Sequence, residues 1–151
     1  YRRPAKVHLI AGHVSQHEID QLHTRGDCFV SLAHGEGWGL GSFDAALFDR
    51  PSILTGWSGH LEYLPAGYPL LVRHRMVEAV QRVPDGHVVE HGGVQQWAQA
   101  DRTHASELMR WAFEHRAALC QLGRDLGRRV HAEYEIGRVS RRLAALLGAS
   151  V

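Results

Sequence analysis

Cysteine is scarce: Cys28 and Cys120 are the only two in 151 residues, and they lie far apart. They frame neither a disulfide scaffold nor a zinc ribbon, and such sparse use suits a domain of a reducing compartment. Charge of one sign is lacking as well. Seventeen Lys and Arg stand against sixteen Asp and Glu, a formal net charge of +1. That near-neutrality argues against a general nucleic-acid binder, which needs a clear cationic excess to displace counterions. No apolar run approaches the ~20 residues of a membrane span, and no signal-peptide pattern is present, so a cytoplasmic location is expected. There is no repeat and no low-complexity tract. An initiating methionine is missing too, so a chain opening at Tyr1 implies a processed, excised or incomplete product. What is present is apolar. Hydrophobic residues make up 44%, enough to fill the core of one domain and far from the composition of a disordered chain.

The hydrophobic period changes along the chain. Val7-His8-Leu9-Ile10-Ala11 is short, apolar and followed by Gly12, which predicts a buried strand. Ser15-Gln16-His17-Glu18 has the form of a capping box, opening a helix with Ile19, Leu22 and His23 on one face that stops near Gly26. Cys28–Leu32 and Ser52–Thr55 read as two further buried strands, with a helix from about Ser42 to Phe48 between them that Pro51 ends. Tyr68–Val72 reads as a fourth short strand, and Arg73 to Gly93 as irregular, with a turn at Pro84-Asp85-Gly86. The remainder is helical: one helix capped by Asp101 or Thr103 with Leu108, Met109, Ala112 and Phe113 inward, a second carrying Leu119, Leu122, Leu126 and Val130, and a third carrying Ile136, Val139, Leu143, Leu146 and Leu147. Strands alternating with helices imply an α/β layer fold with a parallel sheet. In such folds ligands bind at the carboxyl ends of strands.

The richest loop of the chain sits at such an end. Gly35-Glu36-Gly37-Trp38-Gly39-Leu40-Gly41 follows the Cys28–Leu32 strand and leads into a helix. Its glycines let backbone approach a ligand closely, and the helix N-terminus suits a phosphate. Glu36 and Asp44, eight positions apart (44 − 36), suit the hydroxyls of a sugar or ribose, because carboxylates accept and do not donate. A P-loop would need Gly-Lys-Ser/Thr, and a dinucleotide fingerprint would need glycines spaced G-x-G-x-x-G; the loop has neither. Phosphate donors flanked by two hydroxyl acceptors describe a sugar-nucleotide site. A tight strand-to-helix turn with Asp44 complementing the helix dipole is the plainer alternative.

The stretch from Asp27 to Leu40 resembles the signature of the group 1 retaining glycosyltransferases of the GT-B fold, with Trp38 where the usual residue is Phe and Asp44 where a second Glu is usual. Arg50–Leu64 resembles the family's Pro-strand-Thr and Gly-x-x-Glu segment, Gly12-His13-Val14-Ser15 the loop bordering the nucleotide base, and Trp97-Ala98 with Asp101 fits as well. The resemblance implies a Rossmann-like parallel sheet with flanking helices, the partial C-terminal half of a GT-B fold. Residues 1–151 would form a partial nucleotide-sugar-binding domain with C-terminal helices from about 101 to 148. Carried over residue by residue, Glu36 would hold donor-sugar hydroxyls, the N–H groups of Gly37, Trp38, Gly39 and Leu40 would contact sugar and phosphates, Asp44 would hold the ribose, and Gly12 and Val14 would line the base. The reaction implied is transfer of a hexosyl group from a nucleoside diphosphate sugar to an acceptor hydroxyl with retention, and it needs no metal and no cofactor. The resemblance covers only the later part of the second of two domains. The acceptor-binding domain, the first two strands of the donor domain and the diphosphate-neutralising Arg and Lys are lacking, so no catalytic residue is expected within the chain and the chain alone is expected to be inactive. In the family's strand order the missing strands would lie between Val7–Ala11 and Cys28–Leu32, leaving a gap there.

Twelve histidines invite a metal reading, but no Cys/His cluster has the ligand count of a zinc site, and solvated or core histidines are the stronger reading. His34 and His60 differ in sitting at strand ends, within reach of a ligand. Trp38 suits stacking on a ligand or filling one side of the loop. Arg124, Arg128, Arg129, Arg138, Arg141 and Arg142 make the C-terminal helices basic, which allows a weak peripheral contact with anionic membrane, although solvated helix faces explain them better. Two readings from other classes stand beside the enzyme: a non-catalytic nucleotide-binding or interaction module of the same fold, which has no need of Glu36 and Asp44 together, and a dehydrogenase, whose fingerprint is missing.

Overall fold

The computed structural model describes residues 6–79, 81–82, 88–89 and 95–148. Helix α1, Gln16–Arg25, starts at Ser15, where the expected capping box forms: the Glu18 N–H donates to the Ser15 hydroxyl and the Ser15 N–H to the Glu18 carboxylate. His23 lies on the inner face of α1 and stacks on Phe48 with ring centroids 5.8 Å apart. The Arg50 guanidinium donates to the carbonyls of His23 and Thr24 at 3.0 and 2.9 Å. It thereby satisfies the end of α1 and ties that helix to the sheet.

A three-stranded parallel sheet forms the centre, in the order β1 (Phe29–Ser31), β2 (Ser52–Thr55), β3 (Leu71–Val72). Phe29, Val30 and Ser31 pair with Ser52, Ile53 and Leu54. All four residues of β2 are buried, as a central parallel strand covered on both faces requires. Between β1 and β2 runs α2, Leu40–Leu47. The predicted strand at 68–72 is confined to its last two residues, although Tyr68 and Leu70 are buried in the core.

Two expectations fail. Val7–Ala11 is not a strand: this segment has no regular structure, and Val7 and Leu9 are 88% and 89% exposed. An apolar strand holds only when a neighbour takes its N–H and C=O groups, and among the described residues nothing pairs with the outer edge of β1. Nor is the stretch after Arg73 irregular. Strand β4, His74–Glu78, pairs antiparallel with a later strand, Gln96–Ala100, in a separate ribbon, and two short strands between them, β5 (Gln81–Arg82) and β6 (Val88–Val89), pair with each other, which makes Gln96–Ala100 β7. Long-range pairing overrides weak local propensity here. The expected Pro84-Asp85-Gly86 turn lies outside the described residues.

Three helices close the chain: α3, Arg102–Glu114, capped by Asp101, the first of its two candidate caps; α4, Arg116–Tyr134; and α5, Ile136–Leu146. Ala105, Ala112, Leu119, Leu126 and Val130 join Ile53, Leu54, Leu70 and Val72 in one core. Gly123 and Gly127, four apart on one face of α4, bring its backbone onto the loop that joins α2 to β2. A Cβ on Gly123 would lie 2.1 Å from the Asp49 carbonyl, and one on Gly127 2.0 Å from the Asp49 carboxylate. Met109 and Phe113, predicted inward, are exposed, Phe113 by 72%. The apolar stripe of α5 is exposed as well, Ile136, Val139, Leu143, Leu146 and Leu147 alike. Among the described residues these side chains meet no covering element, so their helical period shows amphipathicity but not burial. No helix among the described residues is long and apolar enough to cross a membrane.

The molecule is therefore mixed α/β, with a small parallel sheet flanked by helices.

Candidate functional site

The glycine-rich loop leaves the carboxyl end of β1 and is held by a second loop from the carboxyl end of β2. Trp57 and Ser58 turn the chain there, and Ser58 adopts φ 87 and ψ −170, a conformation that an L residue rarely takes. Its hydroxyl accepts from the Glu36 N–H at 2.9 Å and donates to the Glu36 carbonyl at 2.6 Å. The Gly59 N–H donates to the same carbonyl at 2.9 Å. Gly59 has to be glycine for this approach, since a Cβ would lie 1.9 Å from the Gly37 carbonyl oxygen. A 3₁₀ helix, Gly59–Glu62, follows and buries His60, with Glu62 exposed at its end.

The glycine-rich loop enters α2 through Gly39, which has the left-handed φ of 79 and offers no side-chain cap. The leading N–H groups of α2 are thus left to a ligand or solvent. The helix opens two residues earlier than predicted. Asp44 consequently falls in the second turn of α2 rather than the first, half-buried.

A cavity of about 580 Å³ opens where these pieces meet, lined by Glu36, Gly37, Trp38, Gly39 and Leu40, by Gly41 and Ser42 of α2, by Phe29 and Ser31 of β1, by Leu54 of β2 and by His60. Of the ten residues marked out in the sequence, the structure brings six to this cavity: Glu36, Gly37, Trp38, Gly39, Leu40 and His60. The other four lie apart from its lining. Asp44 is on α2 next to it, close enough to Tyr63 for its charge, with that of Glu36, to add to the burial that raises the Tyr63 phenol above its ordinary pKa. Gly12 is exposed, with nothing within 4 Å of a Cβ placed on it. Val14 lines a different cavity, between the N-terminal segment and α1. His34 lies flat on Trp97, ring centroids 4.6 Å apart, with Nδ1 2.8 Å from the Ala98 carbonyl. With the Ala98 N–H donating back to the His34 carbonyl at 3.0 Å, His34 links the β1 end to β7.

Trp38 fills one side of the loop, the second of the two uses foreseen for it. It lines the cavity while its ring packs on Phe43, Tyr63 and Tyr134 at 5.7, 5.6 and 5.4 Å between centroids. Ser42 and Tyr63 were not marked out. The Ser42 hydroxyl donates to the Gly39 carbonyl at 2.9 Å and is hydrogen-bonded to the Tyr63 hydroxyl, which fixes the start of α2. A serine in a helix's first turn is too common to have flagged this. Ser58 was equally silent in the sequence, because its strained backbone is a property of the fold.

The lining contains no Lys or Arg, and among the described residues no three His, Cys, Asp or Glu side chains are grouped to hold a metal ion. Chemically the site offers backbone donors along Gly37–Gly41 and an acceptor at Glu36. Comparison with protein-family models, with curated proteins and with solved structures returned no match.

Proposed function

We propose that the chain is the donor-binding portion of a retaining glycosyltransferase, which transfers a hexosyl group from a nucleoside diphosphate sugar to an acceptor hydroxyl. The observation that supports this most is the joint placement of Glu36 and the uncapped start of α2 on one cavity at the carboxyl end of a parallel strand. A carboxylate beside free N–H groups matches a ligand that carries both hydroxyls and phosphate. Glu36 would hold sugar hydroxyls, the N–H groups of Gly37, Trp38, Gly39 and Leu40 the sugar and phosphates, and Asp44, on the adjoining turn of α2, the ribose. Val14 would reach the base only by leaving the cavity it lines, and the exposed Gly12 only by moving to the site.

In this reading the start of α2 stabilises the departing diphosphate electrostatically. With no cationic side chain on the cavity wall, affinity should be poor, near millimolar or about −4 kcal/mol. The acceptor must come from a further domain, so the chain alone should transfer nothing. Positioning the acceptor contributes about 7–11 kcal/mol of barrier lowering in such reactions.

Titration of Glu36→Gln and Asp44→Asn with bare nucleoside diphosphates and with nucleotide sugars tests the reading. Glu36→Gln should lose roughly ten- to a hundredfold for the nucleotide sugar alone, as for one charge-assisted hydrogen bond. Asp44→Asn should weaken both ligands. Equal losses for both ligands in both variants reject the division of roles. A non-catalytic nucleotide-binding module is the second reading, favoured by the cation-free cavity; a longer parent that binds donor but turns over no acceptor would establish it.

A further inference from the structure

We propose that the cleft between the β4–β7 ribbon and the start of α3 binds a phosphomonoester group, with Arg73, Arg75 and Arg102 as its donors. This site is separate from the Glu36 cavity and does not rest on the glycosyl-donor reading.

A cavity of about 380 Å³ opens there, lined by Arg73, His74, Arg75, Gln99, Asp101 and Arg102. Three arginines against one carboxylate give this wall a net +2, in a chain whose whole formal charge is +1. Arg73 follows directly on Val72, the last residue of β3. The cavity therefore stands at the carboxyl end of the parallel sheet, where α/β folds bind their ligands.

The ribbon sets the arginines side by side. Arg75 lies directly across from Gln99, and the Asp101 N–H donates to the Arg73 carbonyl at 2.7 Å, which carries the pairing on to Arg73 and Asp101. Residues two apart on a strand share a face, about 6.5 Å from one another. Each guanidinium is braced by the side chain across from it. Arg75 Nε and Nη2 donate to the Gln99 amide oxygen at 2.9 and 2.6 Å. Arg73 Nη2 donates to the Asp101 carboxylate at 3.4 Å.

The other Asp101 oxygen accepts the His104 N–H at 3.0 Å, in its work as the cap of α3. Both Nη1 groups keep their hydrogens for another acceptor, and Arg102 makes no ion pair among the described residues. A guanidinium only donates, and a braced one matches paired oxygens of an anion. A carboxylate has two oxygens, enough for one fork. A phosphomonoester has three terminal oxygens and a charge of about −1.5 to −2 at pH 7. It can bridge Arg73 and Arg75 and still face Arg102. A phosphodiester keeps two terminal oxygens and one charge. The site therefore ranks monoester above diester and carboxylate.

The experiment is heteronuclear NMR of the 151-residue chain that follows the arginine side chains. The soluble probes are inorganic phosphate, glycerophosphate, dimethyl phosphate and acetate. Sedimentation with phosphatidylcholine vesicles, with and without phosphatidic acid, tests a membrane source of the same group. Phosphate and glycerophosphate should move the Arg73, Arg75 and Arg102 resonances, and added salt should weaken them. R73Q and R75Q should each lose about tenfold, the size of one charge-assisted hydrogen bond. R75K keeps the charge without the fork and should lose less. R124Q, on α4, should bind as the parent does. Arg73 is 66% exposed and Arg75 is exposed too, so these variants should melt close to the parent.

Soluble monoesters that bind while vesicles leave the chain in solution support the site and make its ligand a free phosphate ester. Phosphatidic acid vesicles that take the chain down, less so in R75Q but not in R124Q, support it and make the ligand a lipid headgroup. Acetate or dimethyl phosphate binding as tightly as glycerophosphate overturns the proposal. So does an R124Q variant that loses as much as R75Q, since general charge attraction then explains the binding. Arginine resonances that stay still at about 10 mM phosphate, tenfold above a millimolar Kd, overturn it as well.

Discussion

One hydroxyl joins Ser58 to Glu36 twice, accepting from its N–H at 2.9 Å and donating to its carbonyl at 2.6 Å. These bonds hold Ser58 at φ 87, a strained conformation that costs on the order of 1–3 kcal/mol. Ser58→Ala keeps the strain and loses both bonds, and should destabilise by about 1–3 kcal/mol. Ser58→Gly loses the bonds but relieves the strain, and should destabilise less. Urea melts of the two variants check the order; a glycine variant as unstable as the alanine one removes strain from the account.

Gly59 and Gly37 should respond oppositely to alanine. A Cβ on Gly59 would lie 1.9 Å from the Gly37 carbonyl oxygen, whereas one on Gly37 has open space. Gly59→Ala should cost about 1–3 kcal/mol or more through forced displacement, and Gly37→Ala should leave the melting temperature nearly unchanged. Thermal denaturation by circular dichroism separates them.

Tyr63→Phe removes the buried hydroxyl that bonds to Ser42, while the Ser42 hydroxyl keeps its bond to the Gly39 carbonyl. The expected loss is about 0.5–1.5 kcal/mol, the net worth of one hydrogen bond. Because burial, with Glu36 and Asp44 nearby, raises the phenol's pKa, Tyr63 should ionise later than an exposed reference tyrosine in an ultraviolet titration, and Tyr68, which burial raises further, later still.

Acid should loosen α5. The Glu135 carboxylate accepts from the N–H groups of Gly137 and Arg138 at 2.9 and 3.0 Å, and these bonds lower its pKa. A lowered folded-state pKa gives stability that is complete above the ordinary glutamate value and is lost as pH falls through the lowered one. Far-ultraviolet circular dichroism should show helicity falling across that acid range, with a smaller fall in Glu135→Gln. Identical acid profiles would show that the cap contributes nothing.

The sequence told most where chemistry is local. The Ser15–Glu18 capping box and the Asp101 cap stand as expected, since each is decided by neighbours in the chain, and the strand Ser52–Thr55 stands because its unbroken run suits the central place between two distant strands. It told least where partners are distant. Val7–Ala11 has the residues of a strand and no neighbour to pair with, while His74–Glu78 has little strand character and finds Gln96–Ala100. The stripe of α5 shows the same limit, because periodicity reveals a face but not what covers it. At the site, glycine spacing located the Glu36–Leu40 loop, and placement at a strand end singled out His60. The clasp from Ser58 and the turn of α2 on which Asp44 falls depend on backbone angles that composition does not carry.

Where α4 crosses the α2–β2 loop, Gly123 sets its backbone against the Asp49 carbonyl, and Gly127 sets it against the Asp49 carboxylate and the Ala46 carbonyl. Side chains absorb small displacements by changing rotamer, but main chains in direct contact, as at Gly123, have no such slack. The contact therefore works as a rigid strut rather than a cushion. α2 begins at the cavity, and α4 runs 19 residues, about 28 Å at the rise of an α-helix. The start of α2 at the cavity and the length of α4 are thus joined at Asp49 in one stiffly packed unit.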